Sequence, residues 1–188
     1  EGLLAAYHDR FVRIKEDYEL LPGVTLLPHK TKGLDRLGEK VGMYRYQDGA
    51  WIPDDFSHEQ SLVFETEKGL VICNSCCHGG ADHIIEEVKQ TFPGKRVYAL
   101  IGGLHLFKAS DEEVLALVEK IRQTGIEKVY TGHCTGERAV ELLKRELNRS
   151  ISAVGAGEKT SSERVCPGGP DRADTAVEQF YTGMEIEI

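Results

Sequence analysis

From residue 61 onward the chain alternates between two kinds of hydrophobic period, and this alternation constrains the fold more than any other feature. SLVFE at 61–65 and LVICN at 70–74 are apolar runs rich in β-branched residues. Thr66-Glu67-Lys68-Gly69 joins them, which reads as a hairpin with its glycine in a left-handed turn position. A helix over 81–92 follows, with Ile84, Ile85 and Val88 on one face and Pro93-Gly94 as its stop. VYALI at 97–101 is a buried strand by length and composition. Ser110-Asp111-Glu112-Glu113 is a capping box, opening a helix that turns Val114, Leu117, Val118 and Ile121 inward and ends at Gly125. A short strand at 128–131 and a helix over 137–147, with Val140, Leu143 and Leu147 inward, complete the series. Two strands and then alternating helices and strands predict an α/β layered domain with right-handed crossovers.

The remainder carries weaker signals. Residues 2–20 have helix-favouring composition, ended by Leu21-Pro22-Gly23, and strand candidates lie at 24–27 and 42–46. Residues 149–176 are rich in Ser, Gly, Pro and charge without either period, and predict a flexible loop or insertion. Residues 177–188 resume a strand-like alternation and predict an edge strand. At 188 residues, 40% of them hydrophobic and 29% charged, one domain accounts for the chain. The formal net charge of -8 excludes a basic stripe, so the expected partner is a small-molecule substrate, with no nucleic acid and no membrane. Without an apolar run of about 18 residues or a basic-then-apolar leader, a cytoplasmic location is expected. The chain begins at Glu1, and 3–15 reads as the middle of an element, so a fragment or processed chain is the expectation.

Each of the last three strands runs into a loop with a histidine: His78, His105 and His133. Strand carboxyl ends of an α/β sheet share one edge, where ligands bind. Gly79-Gly80, Gly102-Gly103, Gly132 and Gly136 flank these histidines and permit close approach. Surface imidazoles are the bland alternative, but imidazole is the commonest protein ligand for zinc-like ions, so three on one edge predict a metal site. His83 lies inside the helix after His78 and reads as a surface or cap position, while His58 lies in an acidic turn whose carboxylates could orient ligating histidines. His8 and His29 have no neighbours of matching chemistry and receive no role.

The cysteines permit other readings. Cys73 and Cys76 form a C-x-x-C at a strand end, the setting of a dithiol redox centre. A structural zinc knot would need a second pair, and only Cys134 and Cys166 remain. Cys134 beside His133, and Cys77 beside His78, suggest a nucleophile with its base, but adjacent side chains in an extended loop point apart. Buried thiols lining the site are the expectation, with reduced cysteines as the default for an odd total of five.

Five segments together carry a family likeness: Asp54-Asp55-Phe56 with Glu59-Gln60-Ser61-Leu62, Lys68-Gly69-Leu70-Val71-Ile72, Cys76-Cys77-His78-Gly79-Gly80, Gly102-Gly103-Leu104-His105-Leu106, and Gly132-His133-Cys134-Thr135-Gly136. They resemble the C-terminal part of metallo-β-lactamase-fold hydrolases, in the branch similar to ribofuranosylaminobenzene phosphate synthase. The likeness covers roughly residues 20–148 and extends to the last dozen, and it implies an α/β fold, a partial αββα sandwich forming a single, incomplete domain over 1–188 with a metal site at one edge. By this resemblance His78 and His133 are metal ligands, and His105, Cys134 and Thr135 contact substrate or a further metal. Asp55, Glu59 and Cys77 stand behind them as orienting residues, and no catalytic residue is assigned. The implied cofactor is zinc, as one or two divalent ions, serving metal-dependent hydrolysis of a small-molecule ester, phosphoester or lactone. The family's H-x-H-x-D-H signature does not occur in the 188 residues. Activity of this chain alone is therefore in question, and homo-oligomerisation or another association covering the incomplete sheet is an expectation. The alternatives are a catalytically silent remnant that binds metal or a partner, and a dithiol redox protein using Cys73 and Cys76.

Overall fold

The computed structural model describes residues 2–148 and 175–188. Seven strands form one mixed sheet: β1 (Tyr18–Leu21), β2 (Val24–Pro28), β5 (Gln60–Thr66), β6 (Gly69–Cys76), β7 (Val97–Gly103), β8 (Lys128–Thr131) and β9 (Ala176–Gln179), side by side in that order. A separate hairpin consists of β3 (Tyr44–Gln47) and β4 (Ala50–Pro53). The helices are α1 (Gly2–Ala6), α2 (Asp35–Val41), α3 (Ala81–Thr91), α4 (Asp111–Thr124) and α5 (Glu137–Leu147). Pairing is antiparallel from β1 through β6 and parallel from β6 through β9.

The two-residue alternation of the strands separates two apolar faces. Leu70, Ile72, Leu100, Val129 and Val177 pack against Ile84, Ile85 and Val88 of α3, Val114, Val118 and Ile121 of α4, and Leu143 and Leu147 of α5. Val71, Ala99 and Tyr130 face the other way, joined by Tyr98 at an irregularity in the β6–β7 register and partly covered by Phe180, Met184 and Ile186. All three long helices thus lie on one side, as successive right-handed crossovers between neighbouring parallel strands require. One sheet with one helical layer is half of an αββα sandwich, as the α/β expectation holds.

The capping box forms as read: Ser110 Oγ accepts from Glu113 N, and the Glu113 carboxylate accepts from Ser110 N. The β5–β6 turn is Glu67-Lys68, with Thr66 opposite Gly69. Gly69 sits at φ 129°, and a β carbon there would lie 2.8 Å from the Arg96 carbonyl oxygen.

Three readings change. Residues 2–20 hold only the short α1, a 3-10 turn at His8–Arg10 and the strand β1, whose residues are all exposed. The candidate strand at 42–46 shifts to β3, because Gly42 is the left-handed cap of α2. Residues 149–174 of the proposed loop lie outside the described residues, but Thr175 is buried with its hydroxyl donating to Ile126 O, and Ala176 begins β9 beside β8. The edge-strand expectation thus holds for β9, and residues 180–188 leave the sheet.

Candidate metal centre at the sheet edge

β6, β7 and β8 are neighbouring parallel strands that end at Cys76, Gly103 and Thr131, and each histidine follows two residues later. The topology therefore brings all three loops to one edge. The His78 and His105 rings meet edge to face with centroids 4.5 Å apart. His105 also meets Phe107 at 5.1 Å, and buried Phe56 stacks on His78 at 5.6 Å. His105 and His133 both adopt φ 51°, a left-handed conformation that side-chain-bearing residues enter at a cost and that clusters at functional sites.

His78 is held by a buried chain of charges. Its Nδ1 bonds Glu59 Oε1, while Glu59 Oε2 lies 3.4 Å from His29 Nε2 and His29 Nδ1 lies 3.1 Å from Glu87 Oε2. Glu87 Oε1 accepts from Lys30 N at 3.0 Å, Thr31 N at 2.7 Å and Thr31 Oγ1 at 2.5 Å. An ionised carboxylate only accepts, so a ring placed between two of them donates from both nitrogens and is an imidazolium. The His29 side chain is 3% exposed, and burial works against its charge, yet Glu59 and Glu87 outweigh burial and raise its pKa to about 9. Burial likewise opposes ionisation of the two carboxyls, but hydrogen bonds from His29 and His78 bring Glu59 to about 2, and those from His29 and Thr31 bring Glu87 to about 2. Donation from His78 Nδ1 to Glu59 leaves Nε2 as the ring's available lone pair, the arrangement that orients metal-binding histidines. A β carbon on Gly79 would fall 2.7 Å from His29 Nε2, so the absence of a side chain there lets the network close.

The His133 side is built differently. His133–Thr135 is a 3-10 turn, not an extended loop, so His133 and Cys134 need not point apart. Donor atoms of Cys76, His133 and Cys134 all lie within 4.8 Å of one another. A β carbon on Gly103 would lie 2.5 Å from Cys134 Sγ, and the His105 backbone N–H donates to that sulfur at 3.3 Å. Burial, then the Cys134 thiol, push Cys76 up to about 11. Between the two sides lies His105, whose Nδ1 is buried without a hydrogen-bond partner among the described residues. Burial, then the neighbouring His78, lower its proton affinity. Among the described residues the three donors within metal-binding reach of one another are Cys76, His133 and Cys134, while the unpartnered nitrogen of His105 and the available Nε2 of His78 lie in loops at the same sheet edge.

Other residues take different places. Asp55 accepts from Arg45 Nη2 at 2.8 Å and Ser57 N at 3.1 Å, so it anchors its own turn instead of orienting a histidine. Thr135 is fully buried, its hydroxyl 2.6 Å from Thr131 Oγ1 and accepting from Leu104 N at 2.8 Å; it braces two loops and is closed to substrate. Cys77 belongs to the helix-side core, and its burial pushes the thiol well up. Cys73 and Cys76 are both free thiols, and the Cys76 sulfur is grouped with His133 and Cys134 instead of with Cys73. Cys73 packs instead beside the opposite sheet face. His83 Nδ1 lies 2.8 Å from Gly79 O, and His58 is exposed beside Asp54. His29, Glu87 and the partnership of Cys76 with Cys134 had no signal in local spacing.

No family model matches the chain. It is 30% identical over 152 residues to a 7,8-dihydropterin-6-methyl-4-(beta-D-ribofuranosyl)-aminobenzene-5'-phosphate synthase of Methanocaldococcus jannaschii, an alignment covering 79% of this chain and 52% of that protein. The chain thus spans about half the length of the curated relative it matches. A crystal structure of a metal-dependent hydrolase of the beta-lactamase superfamily superposes with TM-score 0.68 at 28% identity, over 95% of this chain and 58% of that one. Sequence and fold therefore agree: the curated relative is a ribofuranosylaminobenzene phosphate synthase and the structural neighbour a metal-dependent hydrolase of the beta-lactamase superfamily, matching the branch that the sequence motifs resemble.

Proposed function

We propose that this sheet edge is part of a centre for one or two divalent ions, zinc by preference, serving hydrolysis of an ester, phosphoester or lactone bond in a small molecule. The observation that carries the reading is His78, whose Nδ1 is engaged by buried Glu59 while Nε2 is left for a ligand. His133 and the unpartnered Nδ1 of His105 extend the donor set. A divalent ion held there would supply Lewis acidity toward a carbonyl or phosphoryl oxygen and activation of water. The protein's own contribution is positional: Glu59 sets the His78 tautomer, Phe56 keeps one face of that ring dry, and His105 stays neutral so that it can meet ion or substrate without adding charge. The relative of known name is a synthase, which supports a second reading, transfer to an acceptor other than water at the same centre. Half-buried thiols at the site and a net charge of -8 support a reducing, cytoplasmic setting with a small molecule as partner.

Metal analysis and chromogenic ester and phosphoester assays test this proposal. Wild-type protein is expected to retain metal through gel filtration and to lose turnover on chelation, and a His78→Ala, His133→Ala double variant to retain neither. Equal metal content in wild type and double variant overturns it.

A further inference from the structure

We propose that Cys76, Cys134 and His133 form a cation subsite of their own, built for a thiophilic divalent ion of the zinc class and separate from the imidazole pair His78 and His105. The inference deepens the metal-centre reading and rests on it for the role of this edge, sharing only His133 with the ligands inferred there.

Three observations carry it. The donor atoms come from two loops at the ends of different strands, yet lie within 4.8 Å of one another. Two sulfurs bound to one tetrahedral zinc at about 2.3 Å would stand about 3.8 Å apart, inside that envelope. The end of β7 is shaped for the sulfur: Gly103 has no side chain where a β carbon would come within 2.5 Å of Cys134 Sγ. The sulfur also has a polar partner, the His105 backbone N–H at 3.3 Å, a contact that orients a ligating sulfur as outer hydrogen bonds orient metal ligands generally.

Donor chemistry then selects the ion. Two thiolates and an imidazole favour zinc or cobalt over magnesium, calcium or manganese, which prefer oxygen. Each thiol gives its proton to water on ligation, so two protons leave as a doubly charged ion enters and the net charge of the site is unchanged. Three protein donors leave a fourth position for water or substrate, the ligand count of catalytic zinc sites. Access is open, since Cys76 and Cys134 are half-buried and His133 is exposed.

Cobalt(II) titration of the reduced full chain tests the subsite directly. About one equivalent should give a thiolate-to-cobalt charge-transfer absorption in the near ultraviolet, lost in C76S and C134S and kept in H78A. Circular dichroism confirms that the serine variants fold. A second measurement needs no variant: zinc should slow alkylation of Cys76 and Cys134, read by mass spectrometry, by about tenfold or more and leave Cys73 unchanged. Cobalt bound without the charge-transfer band, and thiols alkylated equally with and without zinc, would overturn the thiolate subsite while leaving the imidazole centre standing. Loss of the band in H78A also overturns it. Absence of any cobalt binding defeats both readings.

Discussion

Around His78, each successive partner is a buried charge: Glu59 on its Nδ1, His29 on Glu59, and Glu87 on His29. Around His133 there is a strained backbone at φ 51°, two sulfurs and a glycine that makes room for one of them. The first histidine is aimed by electrostatics that are strong because they are desolvated; the second is placed by chain geometry and stays exposed. A ligand aimed by a buried network loses its aim when one charge is removed. A ligand placed by backbone geometry tolerates side-chain change and spends conformational energy instead.

The largest expected effect follows from breaking the network at the end remote from the ligand. Glu87→Gln keeps an acceptor for Lys30 and Thr31 but removes the charge facing His29, and should destabilise the protein by about 3 kcal/mol in denaturant unfolding. The cost should depend on pH. Glu87 sits at about 2 against an ordinary 4.5, so its contribution is complete above about pH 4.5 and is lost as pH falls toward 2. His29 is raised from 6.5 to about 9, so its contribution is complete below about pH 6.5 and is lost as pH rises through 9. These are two ends of one contact, so the gap between wild type and Glu87→Gln should be widest between about pH 4.5 and 6.5 and should shrink to less than about 1 kcal/mol near pH 9. A gap independent of pH would mean that packing, not charge, ties α3 to the strand carrying His29.

Next in size is the link to the ligand itself. Glu59→Gln can still bond His78, but it no longer dictates which nitrogen carries the proton. Zinc affinity, measured by competition with a chromophoric chelator, should fall about 10- to 100-fold. The same measurement on Asp55→Asn should show no change, because Asp55 serves Arg45 and Ser57. If the two variants behave alike, the role assigned to Glu59 fails and the contrast between the two sides weakens.

How much of this was legible in the sequence depends on where the determining contacts lie. From residue 61 the apolar periods, the capping box and the turn glycines are all local, and the elements formed where they were read. His78, His105 and His133 could be gathered because parallel neighbours must end on one edge. β1 carries no strand signal, because Tyr18-Glu19-Leu20-Leu21 is an exposed edge without inward-outward alternation. The β3–β4 hairpin had a usable signal: Asp48-Gly49, with φ 50° and 86°, is the dipeptide that two-residue turns favour, hidden in a segment that reads as loop-rich. His29 carried no signal at all, since its partners lie 30 and 58 residues away and nothing beside it predicts a charge.

The smallest expected effect separates the two sides most cleanly. His133 is exposed, so replacing it by glycine forfeits little packing and removes a left-handed side-chain-bearing residue that costs about 1.5 kcal/mol, histidine being among the side chains that enter this region most readily. The greater freedom of glycine in the unfolded chain offsets about 0.5–1 kcal/mol of that gain. His133→Gly should therefore stabilise the metal-free protein by roughly 0.5–1 kcal/mol, a small rise in melting temperature. His105→Gly removes the same backbone strain but also a ring packed between His78 and Phe107, and should destabilise. Saturating zinc should reverse the order at position 133, because only a protein that retains the ligand gains stability from binding. A variant more stable without metal and less stable with it would show that the strain at His133 is kept for the ion; a variant destabilised under both conditions would show that the imidazole supports the fold itself.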